Sequence, residues 1–579
     1  MPELVISPSS SVDTTASSSS GGIDTPLTTP GISNTGYNLA SDIIPSEHPH
    51  RTLVLCFDGT GDQFDADNSN VVLFFSMLKK DDRRQQLVYY QAGIGTYTTP
   101  QIATPGMAKI SKTLDEMVAW NLDAHVMDGY EFLMQNYEIG DKICLFGFSR
   151  GAYTARALAG MIHKVGLLPP CNHQQVPFAY KMFTRTDQLG WEQSTAFKKA
   201  FSVDVDVEFI GVWDTVTSVG LIPRTLPFTT SNTSVRTFRH AVSLDEHRAK
   251  FKANLFNRPT KAEAQLGTHP GDMPKSDGIP TTLATGIDGS SSGTSSGKHG
   301  KNGVHKRPGN SRRKFEREFS ERDGHIEQTD VKEVWFAGCH CDVGGGSVSN
   351  DTRHNLARIP LRWMIRECFR TNIGIRFHAS LLRTVGLDPN TLFPTVLDRP
   401  ETIYANSLPP HLHVPNAPHE HGRESTADSS YTVKTLVDDP TVAKSTSVGY
   451  ANIAASDLNL TEEEEDVYDA LSPIYDQLSL APAWWILELL PMRFKKQRDN
   501  NDWVSNWGLN LGQPRKIPSR IQKRGEFFVH RSVKIRMEAE EKLLGGKYVP
   551  RPQWKVEPKT GALCSYLPIQ NVISCRIER

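Results

Sequence analysis

Residues 144–152 read Cys144-Leu145-Phe146-Gly147-Phe148-Ser149-Arg150-Gly151-Ala152, and the reading of this stretch decides the fold. The apolar run from Ile143 to Phe148 leads into it, and the helix-forming run from Ala152 to Ala159 leads out. Gly147 to Gly151 is a G-x-S-x-G pentapeptide. Flanked by a strand before and a helix after, with serine at the apex of the turn, it reads as a nucleophile elbow rather than a surface serine in a glycine loop. The turn is strained and crowded, so side chains at the two glycines would meet backbone. The helix that follows turns its N–H groups and positive dipole end toward Ser149, which favours an anionic intermediate there.

Working outward, strands and helices alternate. Arg51–Phe57 is an apolar run that ends in the turn sequence Asp58-Gly59-Thr60-Gly61-Asp62. Residues 70–79 carry Val71, Phe74, Phe75 and Leu78 at helical spacing, and Gln86–Gln91 reads as a strand. Residues 123–137 align Val126, Met127, Tyr130, Leu133, Met134 and Tyr137 on a helix face. Strands follow over 142–148, 203–213 and 331–337, with a helix over 357–369. Such alternation predicts an α/β fold, a mostly parallel sheet with helices on both faces, and the elbow within it makes the expectation α/β-hydrolase-like. In such sheets the ligand site lies beyond the carboxyl ends of the strands.

Bulk properties bound the function. The 579 residues hold 64 Lys and Arg against 65 Asp and Glu, a net charge of −1, so no global field attracts nucleic acid. The eight cysteines are scattered. Cys56 and Cys144 sit in core-strand runs, which suits buried small hydrophobes rather than a disulfide framework. The N-terminus lacks the basic region and apolar run of a signal peptide. No stretch approaches the length of a membrane span. The expectation is a soluble, cytoplasmic protein without a transmembrane segment.

Composition divides the chain. Residues 1–48 are rich in Ser, Thr, Gly and Pro and read as a disordered tail. Residues 49–376 read as the catalytic domain, with a disordered insertion over 258–330. Between Lys298 and Lys314 that insertion holds seven Lys or Arg and no acid. A solvated linker is the preferred reading, with a localisation signal or an anion-binding arm as the alternatives. Residues 377–579 read as a mainly helical extension. It holds a polar loop over 405–450, a lid-like helical segment over 456–500 opened by the capping box Thr461 to Glu464, and a final strand and helix over 525–545. Within it, 483–496 is very apolar and then basic. It reads as a helix lidding the core, the alternative being peripheral contact with a lipid surface.

A serine hydroxyl needs a base, usually histidine, oriented by a carboxylate. On this fold the chain order is Ser, acid, His. After Ser149, the strand over 203–213 ends at Asp214, and the strand over 331–337 leads to His340 in a glycine-rich loop. Ser149, Asp214 and His340 are therefore the expected triad. His530 is the alternative base, ranked second because it lies within a strand run. The oxyanion donors expected are the backbone of Arg150 and that of Gly59 or Thr60. No cofactor is required by this chemistry. A metal-dependent hydrolase is an alternative, since Asp58, Asp62, Asp214, His340 and Asp342 all fall at strand ends, but no ligand spacing marks a metal site. A catalytically degenerate interaction protein of the same fold is another alternative.

Five motifs in order carry a resemblance. They are Phe57 to Asp62, Tyr90 to Thr96, Gly147 to Ala152, Gly211 to Val216, and His340-Cys341-Asp342-Val343-Gly344-Gly345-Gly346. Together they resemble the α/β-hydrolase domain family of the bacterial type VI secretion phospholipase effectors, in its eukaryotic, fungal-type branch. The resemblance covers roughly residues 50 to 375, minus the insertion. It implies the triad Ser149, Asp214 and His340, and an ester or lipid substrate, phospholipase A activity being that of the bacterial effectors. Cys341 departs from the family loop, which usually has serine after the histidine.

Overall fold

Eight strands form one sheet: Thr52–Phe57 (β1), Gln86–Gln91 (β2), Lys142–Phe148 (β3), Val207–Trp213 (β4), Val235–Ser243 (β5), Asp330–Phe336 (β6), Phe528–His530 (β7) and Arg576–Glu578 (β8). The computed structural model describes residues 42–60, 62–93, 122–216, 226–232, 234–258, 329–404, 460–524, 527–552 and 576–578. Of the expected tail 1–48, residues 42–48 are ordered, Ile43–Ile44 pairing antiparallel with Phe377–His378, and of the expected insertion 258–330, Asp330 opens β6. Residues 1–41, 259–328 with the basic stretch, and the loop over 405–450 lie outside the described residues. The strand order is β8-β7-β6-β5-β4-β3-β1-β2, and every neighbouring pair runs parallel. This is the expected α/β class. Parallel strands covered on both faces read as continuous apolar runs, which is why Thr-Leu-Val-Leu-Cys-Phe of β1 is buried at all six positions.

The main helices are Asn70–Ser76 (α1), Leu122–Asn136 (α2), Ser149–Val165 (α3), Val176–Thr184 (α4), Gln188–Phe201 (α5), His340–Gly344 (α6), Arg358–Arg370 (α7), Glu462–Leu471 (α8) and Arg531–Glu538 (α9). Val126, Tyr130 and Leu133 of α2 and Leu158 and Ile162 of α3 pack with Leu53, Leu55, Leu145, Ile210 and Val212 of the sheet. Phe146, whose parity turns it to the other face, meets Phe74 of α1 with ring centres 4.3 Å apart. At Gly211 the bare backbone admits Phe146 and α7: an added Cβ would lie 2.6 Å from the Phe146 ring and 2.8 Å from the Met364 sulfur.

Several elements differ from their sequence reading. The strand expected over 203–213 begins at Val207. The helix expected after the capping box opens as predicted, with Thr461 and Glu464 closing the box. It stops at Leu471, before Ser472-Pro473, and resumes as one turn over Gln477–Leu480, since proline removes a helix N–H and clashes with the preceding turn. The lid-like segment over 456–500 is not helical throughout. It holds a 3-10 turn over Pro482–Trp484, one α-turn over Trp485–Glu488, and then the strand Met492–Gln497 paired antiparallel with Trp503–Gly508. The hairpin turns at Asn501, whose φ of 68° asparagine tolerates well. Among the elements that went unread are β5, β8, α4 and α5, and α6 stands where a glycine-rich loop was expected. No described helix is long and apolar enough to cross a membrane.

Candidate active site

Parallel register brings the strand ends together. Phe148 pairs with Trp213 across β3 and β4, so the next residues, Ser149 and Asp214, leave the sheet side by side. Ser243 at the end of β5 pairs with Phe336 of β6, and four residues later α6 begins with His340.

At the elbow Ser149 has a φ of 57°, a left-handed backbone that non-glycine residues seldom adopt. The flanking glycines are required by contact. A Cβ on Gly147 would stand 2.6 Å from the Gly151 carbonyl, and one on Gly151 would stand 2.2 Å from the Phe57 carbonyl oxygen and 2.3 Å from that of Asp58. Gly151 is thus where α3 touches the end of β1. Gly344 has the same role behind His340, where a Cβ would fall 1.8 Å from the Phe148 ring. Phe148 itself lies against the His340 ring, centres 4.7 Å apart.

The three residues expected from the strand ends meet. Ser149 Oγ is 2.8 Å from His340 Nε2, and His340 Nδ1 is 2.6 Å from Asp214 Oδ2. All three are buried. Burial favours neutral His340 and outweighs the pull of Asp214, so its pKa falls below the ordinary 6.5. Burial pushes Asp214 the other way, but the Arg515 guanidinium and His340 outweigh it, and Asp214 stays ionised well below the usual carboxylate range. Arg515 and Ser243, both missed in the sequence, hold the remaining lone pairs of Asp214. A second pair sits behind the histidine. Glu246 accepts the His340 backbone N–H at 3.2 Å and the Arg248 guanidinium at 2.8 and 3.0 Å. Burial raises Glu246, Arg248 more than offsets that, and its pKa lies at about 2. Phe251 packs on His340 at 4.8 Å and Trp484 on Phe251 at 5.5 Å.

The oxyanion expectations separate. Arg150 occupies the first turn of α3, where helix N–H groups lack intrahelical acceptors. The Gly59 N–H is committed, donating to Asp58 Oδ1 at 2.8 Å. Thr60 keeps a buried hydroxyl without a hydrogen-bond partner among the described residues. His530 is directed elsewhere. It caps α9 through Ser532, stacks on Phe336 at 4.9 Å, and is driven by burial down to about 3.

Of the strand-end acids considered as metal ligands, Asp58, Asp214 and Asp342 are engaged by protein donors. Asp58 accepts from Ser69 at 2.6 Å and Tyr90 at 2.7 Å, and Asp342 accepts from the Cys339 and Tyr475 N–H groups at 2.8 and 3.0 Å. Among the described residues, His354, Glu465 and Asp469 are a group with ligand atoms within 4.8 Å of one another, and Arg353 and Arg358 already pair with it. Cys341, the departure from the family loop, is held as a thiol by burial.

The uncharacterized protein YEL023C of Saccharomyces cerevisiae is 28% identical over 562 residues, spanning 83% of this chain and 79% of that protein. Among solved structures, an uncharacterized protein from Pseudomonas aeruginosa aligns at 17% identity and a TM-score of 0.29, over 59% of this chain and 48% of its own. The Tle1 effector bound to the VgrG spike of the type VI secretion system aligns at 17% identity and a TM-score of 0.21, over 40% of this chain and 50% of its own. The match thus spans about half the length of each of those two chains. The family model for the type VI secretion phospholipase effector Tle1-like catalytic domain covers residues 51–367, more than half of the chain, and the protein therefore belongs to that family.

Proposed function

We propose that the protein is a serine hydrolase that cleaves carboxylic esters of lipids, with residues 49–376 as its catalytic domain. The observation that carries this is the continuous chain of hydrogen bonds from Ser149 Oγ through His340 to Asp214, at 2.8 and 2.6 Å. In this reading His340 carries its proton on Nδ1, donated to Asp214, and accepts the Ser149 hydroxyl proton at Nε2. Ser149 Oγ attacks the acyl carbonyl carbon. The Arg150 N–H and Thr60 receive the oxyanion, with the Gly59 N–H excluded by its bond to Asp58. The tetrahedral adduct collapses, and His340 returns its proton to the departing alcohol. Water, deprotonated by the same histidine, then releases the acid and regenerates Ser149.

A lipid substrate is supported by the family and by the surface beside His340. Trp485, Ile486, Leu489 and Leu490 are exposed next to Trp484, and the adjoining strand presents Arg493, Lys495 and Lys496 outward. An apolar tip rimmed by cations suits peripheral contact with an anionic lipid surface. The test is covalent labelling by a fluorophosphonate probe, followed by turnover of phospholipid vesicles and soluble p-nitrophenyl esters. Wild type is expected to label and turn over, and Ser149→Ala to do neither. Equal labelling of the two proteins rules out the serine mechanism, and labelling without turnover of any ester favours the degenerate alternative.

A further inference from the structure

Asp214 has more partners than the orienting of one histidine requires. Oδ1 accepts from the Ser243 N–H at 2.8 Å and from Arg515 at 2.5 Å, and Oδ2 accepts from Ser243 Oγ at 3.0 Å and Arg515 at 2.8 Å besides His340. Arg515 stands 301 residues further along the chain, beyond the residues the family model matches. Its side chain is buried. The rest of its donor fork reaches the Ser243 carbonyl at 3.0 Å and, through Nε, the Phe251 carbonyl at 3.0 Å. Phe251 is the residue whose ring packs on His340.

The geometry has two consequences. A bidentate guanidinium fixes the plane as well as the position of a carboxylate, so the Oδ2 lone pair that meets His340 is aimed by Arg515. A fixed cation behind the carboxylate also draws on the charge that would otherwise stabilise the imidazolium, which keeps His340 a neutral base. We propose that Arg515 is a positioning residue of the catalytic centre, and that the C-terminal third completes the site by delivering it. This rests on the serine-hydrolase reading above.

The competing view is an ordinary buried ion pair that only ties the C-terminal third to the sheet. The two differ in what they do to each correctly folded molecule. Full-length wild type, Arg515→Lys and Arg515→Ala are titrated with the fluorophosphonate probe, and kcat is expressed per labelled site on a soluble ester. Arg515→Ala is expected to lose on the order of 10²-fold in kcat, with KM little changed. Its acid limb should move to higher pH, because His340 without the cation binds its proton more tightly. Millimolar guanidinium should restore part of the rate to Arg515→Ala and none to Ser149→Ala. Arg515→Lys keeps the charge without the fork and should fall between. Unchanged kcat per site with an unmoved acid limb in both variants overturns the inference while leaving the triad intact. If Arg515→Ala does not fold, the Lys variant decides on the same two readouts. A wild type that takes no probe overturns the serine reading, and this inference with it.

Discussion

At the residue scale, His340 sits between opposing influences. Burial disfavours its charged form, Asp214 favours it, and burial prevails. A base with a lowered pKa remains neutral as pH falls below the ordinary histidine value of 6.5. Activity that requires neutral His340 should therefore persist to more acid pH than an exposed histidine would allow. The acid limb of kcat/KM, which reports the free enzyme, is expected to have its midpoint below 6.5. A midpoint above that value contradicts the assignment of His340 as the buried base. The sequence already named Ser149, Asp214 and His340, because a parallel sheet offers few carboxyl ends and each lay at one. It left Gly59 and Thr60 as equals, because the hydrogen bond that commits the Gly59 N–H depends on the rotamer of Asp58.

At the element scale, the elbow is a contact between three pieces of backbone rather than a property of one turn. Gly151 of α3 lies against the Phe57 and Asp58 carbonyls at the end of β1, and Phe57 is held in register with Gln91 and Gly147 on either side. Gly151→Ala is expected to cost about 1–3 kcal/mol, the usual range for overpacking, and to abolish labelling at Ser149 because the helix N-terminus shifts. Chemical denaturation with parallel probe labelling would check this, and a variant labelled at the wild-type rate would refute the contact's importance. Of the elements that escaped sequence reading, β5 is instructive. Val-Arg-Thr-Phe-Arg-His-Ala-Val-Ser is too polar to read as a central strand. Its Arg239 is neutralised by Glu367 at 2.6 Å and Asp330 at 2.5 Å, and its His240 is hydrogen-bonded to Glu333 at 2.9 Å. Each partner comes from elsewhere in the chain, so the strand is apolar enough only once the fold exists.

At the scale of the whole molecule, buried ion pairs tie α8 of the C-terminal third to α7 and to the segments around it. Arg362 of α7 meets Asp466 at 2.6 Å and Asp469 at 2.7 Å on α8, Arg399 meets Asp466 at 3.0 Å, and Arg531 of α9 meets Glu463 at 3.0 Å. Burial pushes Asp466 up, but Arg399 and Arg362 outweigh it and hold it far below its ordinary 3.8. Its stabilising contribution is present above that value and drains away as pH falls toward the folded-state pKa. Asp466→Ala removes one carboxylate from Arg362 and Arg399, which keep Asp469 and the Glu462 and Glu463 pair, so the expected cost is about 1–3 kcal/mol, below that of an uncompensated buried charge. Urea unfolding at neutral pH measures this. A loss no larger than that of an exposed pair would mean the network contributes little.

Much of the site was legible in the sequence because local chemistry dictates it. Apolar runs make the strands, glycines permit the elbow, and the strand ends bring Ser149, Asp214 and His340 together. What the sequence left open depends on groups brought together from far apart. The Arg515 that grips Asp214 lies in an irregular segment after the hairpin, with no spacing or motif to link it to residue 214. The alternating Met492–Gln497 stretch became a hairpin only by pairing with Trp503–Gly508. Short-range patterning specified Ser149 and where to look for its partners, and tertiary structure alone decided what holds those partners in place, because a buried charge finds its counter-charge by packing and not by sequence distance.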